Sequence, residues 1–333
     1  MWKFRRALQY RRISFCGLYL ISSFLTGTVA ANAAQMSPKV VVSIKPLHSI
    51  VAGIMQGGAD PVLLVSGTET PHGFSLRPSQ ARELESAALV FWVGPELEKF
   101  LEKSVNTLAR QAEIVALGHA VPLLPYRKHA LWRKANRHAA HDYDKHKNTH
   151  RHAGHYSHGT RDPHFWLDPV LMLEIVPIIV RALSKVDPAN AHRFRSNEEI
   201  LTKRLEQLHW QLKEKLLPVR QVPYLVFHDA YQYLEARYRL ASVGSVTLDP
   251  ERPPGARHLA RIRRDVLQNK AQCLFKEPQF RPSIINVVRE KVAIRLGELD
   301  PLGVTQRPGP DAYFNTLKNL AENLANCLGD SSR

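Results

Sequence analysis

The sequence predicts an α/β protein: two βα lobes with parallel-type sheets, joined by one long rigid connecting helix, with a cleft between the lobes. Three observations carry this. Short apolar runs rich in Val, Leu and Phe at 40–44, 61–65 and 88–93 alternate with helical stretches, as buried parallel strands do. The same alternation returns after residue 219. Between the two blocks Leu201, Leu205, Leu208, Leu212 and Leu216 recur every three or four residues, the period of a single helix face. The expected divisions are a leader over 1–34, a first lobe over 35–187, the connector over 188–218 and a second lobe over 219–333.

The chain opens with Lys3, Arg5, Arg6, Arg11 and Arg12, continues in an apolar run over 13–30, and reaches small residues at Ala31, Ala33 and Ala34. This is the three-part layout of a secretory signal peptide, cleaved after Ala33 or Ala34. A retained anchor is the competing reading, disfavoured by Gly17, Ser22, Ser23 and Gly27 within the run. Cys16 follows bulky Phe15 inside the apolar run, which speaks against lipid attachment there. An exported, periplasmic protein is therefore expected.

Loss of the leader lowers the formal charge from +16 to +11, still basic. Lys and Arg are scattered without interleaved aromatic residues, so no nucleic-acid partner is expected. The charge instead favours approach to an anionic membrane surface or an acidic partner. Two cysteines survive cleavage, Cys273 and Cys327. In an oxidising compartment they are expected to pair and tie the last helix to an inner strand of the second lobe. The chain-entropy model assigns such a bridge about 4 kcal/mol.

In the first lobe helices are expected over 47–55, 79–86 and 96–108. The connector starts at Asp187 and Pro188, keeps Lys203, Arg204, Glu206, Lys213 and Glu214 off its leucine stripe, and ends before Pro218 and Pro223. About 28 residues at ~1.5 Å each span roughly 40 Å, more than one small lobe requires. The second lobe is expected to hold strands at 224–227, 240–246, 273–276 and 292–296, and helices at 231–238, 255–268 and 313–327.

The segment over 127–158 holds His129, His138, His141, His146, His150, His152, His155 and His158 among Lys, Arg, Asp, Asn and Gly, with almost no aliphatic residues. Nothing there builds a core, so a solvated loop is expected. Imidazole suits zinc, copper and nickel, and many imidazoles on one tether make a weak, pH-dependent metal collector. Three further histidines sit where a strand gives way to a loop or helix: Thr70-Pro71-His72-Gly73-Phe74, Asp162-Pro163-His164-Phe165-Trp166 and Phe227-His228-Asp229-Ala230-Tyr231. Strand ends face the cleft, so His72, His164 and His228 are expected to converge on one Zn2+, leaving one position of a tetrahedron open. Water, Glu69 and Asp300 are the candidates for that place. Asp168 and Asp229 are expected to accept from the imidazoles and fix their tautomers. His48, His119, His192, His209 and His258 lack such a setting and read as ordinary hydrogen-bonded residues.

Residues 70–79 (Thr-Pro-His-Gly-Phe-Ser-Leu-Arg-Pro-Ser), 91–96 (Phe-Trp-Val-Gly-Pro-Glu), 164–169, 227–231, 277–282 (Glu-Pro-Gln-Phe-Arg-Pro) and 299–303 together strongly resemble the zinc-binding proteins of bacterial ABC importers. The resemblance covers essentially all of the mature chain. It implies two lobes joined by one long helix, a metal held in the cleft, and delivery to a membrane permease served by its ATPase. It further implies His72, His164 and His228 as ligands, a C-terminal disulfide, and a histidine-rich loop that marks the zinc members. A histidine at 228, not a carboxylate, resembles the zinc branch and not the manganese branch. The chain departs from some zinc members at Pro71, where they carry an acidic residue, which leaves the fourth ligand open. A monomer is expected. The alternatives are a manganese or iron importer component, disfavoured by the nitrogen-rich ligand set, and a secreted zinc metallohydrolase, disfavoured because no His-Glu-x-x-His helix occurs.

Overall fold

The computed structural model describes residues 37–127, 161–248, 250, 254–280, 283–290 and 292–329. The expected leader and all eight histidines of the 127–158 segment, His129 to His158, lie outside the described residues.

Strands β1 (Val40–Val42), β2 (Val62–Leu63), β3 (Leu89–Trp92) and β4 (Glu113–Ala116) form a parallel sheet in the order β2-β1-β3-β4. The second half repeats this topology. β5 (Tyr224–His228), β6 (Ser242–Thr247), β7 (Cys273–Lys276) and β8 (Arg295–Glu298) pair in parallel in the order β6-β5-β7-β8. In each sheet the strand order reverses beside the first strand of the set, and the carboxyl ends there open a crevice.

The helices are α1 (Lys45–Met55), α2 (Pro78–Glu85), α3 (Lys99–Thr107), α4 (Pro169–Val186), α5 (Ala191–Leu216), α6 (Gln232–Tyr238), α7 (Ala256–Gln268), α8 (Ser283–Arg289) and α9 (Ala312–Leu328). Alternate residues of a strand point to opposite faces, which divides the apolar side chains cleanly. Val41, Val90 and Trp92 pack outward with Leu84 of α2 and Leu101 of α3. Leu225, Phe227 and Leu274 pack outward with Ile262 of α7 and Val288 of α8. Val42, Phe91, Val226 and Phe275 all point inward, into one core shared with α1, α4, α5 and α9. The two sheets thus share a single core beneath the cleft.

α5 is the connector, and Leu201, Leu205, Leu208, Leu212 and Leu216 are buried on it as expected, joined by Phe194. It packs on α1, α4 and α9. It starts at Ala191, because Pro188–Asn190 forms a separate 3-10 turn. Its 26 residues span about 39 Å. Among the described residues no helix is long and apolar enough to cross a membrane.

Three elements go beyond the sequence expectations: β4, α4 and α8. α4 lies against α5, α1 and β3, and apolar Val170, Leu173 and Ile178 extend beyond its buried stripe, which mutes the polar face that reveals a helix in sequence; Pro177 sits inside it. Its start is nonetheless encoded locally: Asp168 Oδ1 accepts from Val170 N at 2.9 Å, with Pro169 in the first turn. β8 begins at Arg295, three residues later than expected, because Val292 and Ile294 pack into the outer core of the second sheet. Cys273 on inner strand β7 and Cys327 on α9 form a disulfide, with Cα atoms 6.2 Å apart.

Candidate metal site

The three histidines meet, although only His228 stands at a strand end; His72 and His164 are carried by loops. Ring centroids of His72 and His164 lie 5.5 Å apart, those of His72 and His228 5.7 Å, and those of His164 and His228 5.4 Å. One nitrogen from each ring lies within 4.8 Å of the others, the only such group of three or more His, Cys, Asp or Glu among the described residues. His228 closes β5, His164 precedes the 3-10 turn Phe165–Leu167, and His72 stands in the loop between β2 and α2. His164 and His228 are buried, whereas His72 is half-buried. Trp166, Phe280, Pro301 and Leu302 complete the pocket wall.

Two of the rings are aimed by buried carboxylates. His164 gives its backbone N–H (3.0 Å) and its ring Nδ1–H (2.7 Å) to the same oxygen of Asp162. His228 Nδ1 donates to Glu277 Oε1 at 2.7 Å. With Nδ1 protonated in this way, Nε2 carries the lone pair. Nε2 of His228 is buried with no hydrogen-bond partner, an orphan that an ion in the pocket would satisfy. Register brings Glu277 here: β5 and β7 pair Val226 with Phe275, and the same offset carried two residues on sets His228 beside Glu277.

These partners correct a sequence expectation. Asp168 does not face an imidazole; it caps α4 and takes the guanidinium of Arg237 at 2.7 Å. Asp229 does not either; it pairs with Arg127 at 2.9 Å. Asp162 had a local signal in the Asp-Pro-His spacing, since a carboxylate two residues before a backbone N–H closes a tight turn onto it. Glu277 had none, because it lies 49 residues from its partner.

The model for the zinc-uptake complex component A, periplasmic, ZnuA, matches residues 40–327. The chain belongs to the ZnuA family. A high-affinity zinc uptake system protein ZnuA from Brucella abortus (strain 2308) is 38% identical over 330 residues, covering 93% of this chain and 98% of that protein. The Yersinia pestis protein of the same name is 36% identical over 297 residues, covering 88% and 92%. A crystal structure of ZnuA superposes with a TM-score of 0.71 at 22% identity over 88% of this chain and 100% of that one, a likeness of fold.

In this ZnuA-family chain the two carboxylates named as fourth-ligand candidates are engaged elsewhere. Glu69 Oε1 pairs with Arg77 at 2.6 Å, at the surface. Asp300 Oδ1 accepts from Gln279 Nε2 at 3.0 Å and Leu302 N at 3.3 Å, and its Oδ2 accepts from Thr305 N at 3.4 Å. Neither belongs to the imidazole cluster. Beneath the cluster lies a buried charge network: Arg127 holds Asp229 and, at 2.6 Å, Glu235. Burial pushes Asp162 and Asp229 each up to about 7, against the pull of Arg127 on both. The segment carrying His164 is fastened across the cleft. Tyr233 Oη donates to Asp162 O at 2.7 Å, Trp166 Nε1 to Pro301 O at 2.9 Å, and Tyr313 Oη to Trp166 O at 2.9 Å.

Proposed function

We propose that the chain captures Zn2+ in the interlobe cleft through His72, His164 and His228 and delivers it, on the periplasmic side of the membrane, to the permease of an ABC importer driven by its ATPase. The observation that carries this reading is the convergence of three imidazole nitrogens within 4.8 Å, with the buried Nε2 of His228 lacking any other partner. Membership of the zinc-uptake family supports it. Three neutral nitrogens suit zinc and leave the ion its full charge, while manganese favours oxygen donors. The fourth place goes to water, since Glu69 and Asp300 already have partners. The family is one of transport components, and the site holds its ion without turning anything over. Export through a cleaved 1–34 leader, action as a monomer, and weak auxiliary metal binding by His138, His141, His146, His150, His152, His155 and His158 belong to the same proposal.

Competitive titration of metal-stripped, leader-free protein against a chelator of known affinity tests it. One tight zinc site plus weaker ones, with manganese unable to compete, is the expected result. Tight manganese binding or the lack of any tight site would overturn the reading. His164→Ala should abolish the tight site. Deleting 128–158, which spares the paired Arg127, should remove only the weak ones.

A further inference from the structure

Lys45 opens α1 at the carboxyl end of β1, in the first lobe, and only 6% of it is exposed. Its ammonium donates to three backbone carbonyls of the second lobe: Gly303 O at 2.7 Å, Val304 O at 2.9 Å and Gln306 O at 2.8 Å. All three of its protons are thereby used. The loop it grips follows β8 and begins at Asp300, whose carboxylate holds the same turn from inside through Leu302 N and Thr305 N. Within that loop Pro301 and Leu302 line the histidine pocket together with His72, His164 and His228. Burying the ammonium carries a desolvation cost, which its three carbonyl bonds offset. What the ammonium adds is a specific geometry, three carbonyls turned toward one point on the other lobe.

We infer that Lys45 is a positioning residue for metal retention: it clamps the 300–306 loop across the cleft as a wall of the pocket and so slows zinc escape, without touching the ion. The inference rests on the three-histidine site being the seat of zinc.

The test uses the leader-free chain carrying one equivalent of zinc, with release followed by stopped-flow chelator chase, and with the Co2+ visible spectrum as the report on the ligand set. Lys45→Met keeps the stem and removes the ammonium. It should raise the dissociation rate about tenfold or more, leave the association rate within about twofold, and leave the Co2+ spectrum unchanged. Leu208→Ala, a cavity in the α5 stripe that removes none of the Lys45 or Asp300 hydrogen bonds to the loop, should lower the melting temperature and leave the dissociation rate within about twofold. A folded Lys45→Met that releases zinc at the parent rate overturns the inference, and so does a changed Co2+ spectrum. Should Lys45→Met not fold, Gly303→Ala decides by the same criteria. Gly303 has φ +64, and a Cβ there would collide with the Thr316 side chain, displacing the loop without altering Lys45. A parent protein with no tight zinc fails the histidine site itself, whereas a tight parent with an unaltered Lys45→Met fails only the clamp.

Discussion

His228 is pulled two ways at a single nitrogen. Burial lowers its pKa, but the charge and hydrogen bond of Glu277, with Asp229 and Asp162 nearby, outweigh burial and leave it raised above the ordinary imidazole value. In the proposed site a zinc ion would take the lone pair that this proton would occupy. A raised pKa means the proton competes from a higher pH than it does on a free imidazole, about 6.5. Zinc affinity should therefore fall steadily between pH 8 and pH 6, as read by chelator competition, and a flat profile would contradict imidazole ligation. Glu277→Gln keeps the shape and removes the charge; the loss of orientation and basicity should weaken zinc binding about 10- to 100-fold. A second buried acid lies away from the pocket. Burial pushes Glu98 up to about 7, against the backbone N–H groups of Gly94 and Val93. The folded state thus holds a proton that the unfolded chain has released, so stability from this group is present below the unfolded carboxyl value and is lost as pH rises through about 7. Asp162 and Asp229, also pushed up to about 7, contribute to the same fall, so Glu98→Gln should flatten only part of the decline in the metal-free melting temperature between pH 5.5 and pH 8; an unchanged slope would remove Glu98 as a source.

Among the elements, α5 and the chain leading up to residue 128 matter in different ways. The leucine stripe of α5 faces α1, α4 and α9, so it bonds the lobes through the shared core as well as spanning them. Leu208→Ala should cost about 2–5 kcal/mol in urea unfolding, the range for a large-to-small core change that the site cannot collapse around. The chain up to Arg127 is secured by charge instead. Its guanidinium is the ion-pair partner of both Asp229 and Glu235, two carboxylates that are themselves buried. Arg127→Ala strands both, and should destabilise the fold by about 3–5 kcal/mol, whereas Arg127→Lys, a point charge in place of a fork, should recover only part. Equal stability of Arg127→Ala and parent would mean that water replaces the guanidinium.

For the whole molecule, zinc is a ligand of the folded state alone. At a free concentration a thousand times its dissociation constant it should add about 4 kcal/mol to unfolding and raise the melting temperature accordingly. That gain should shrink as pH falls toward 6, with the affinity, and should vanish in His164→Ala.

The sequence by itself determined the repeated strand and helix order, the leucine connector and the cysteines available to pair, because each rests on local periodicity or on simple counting. It also marked out His72, His164 and His228, since each stands beside Pro, Gly or Asp residues that leave a local trace of a turn. It left α4 unmarked, because apolar residues run beyond its buried stripe and thin its polar face, and it misdirected the choice of orienting carboxylates toward Asp168 and Asp229, the near neighbours. Only the tertiary structure decided that Glu277 meets His228, because parallel register, not sequence distance, sets which residues stand side by side on adjacent strands. It alone decided that Lys45 closes on the 303–306 carbonyls, because a buried ammonium must find its partners wherever the second lobe brings them.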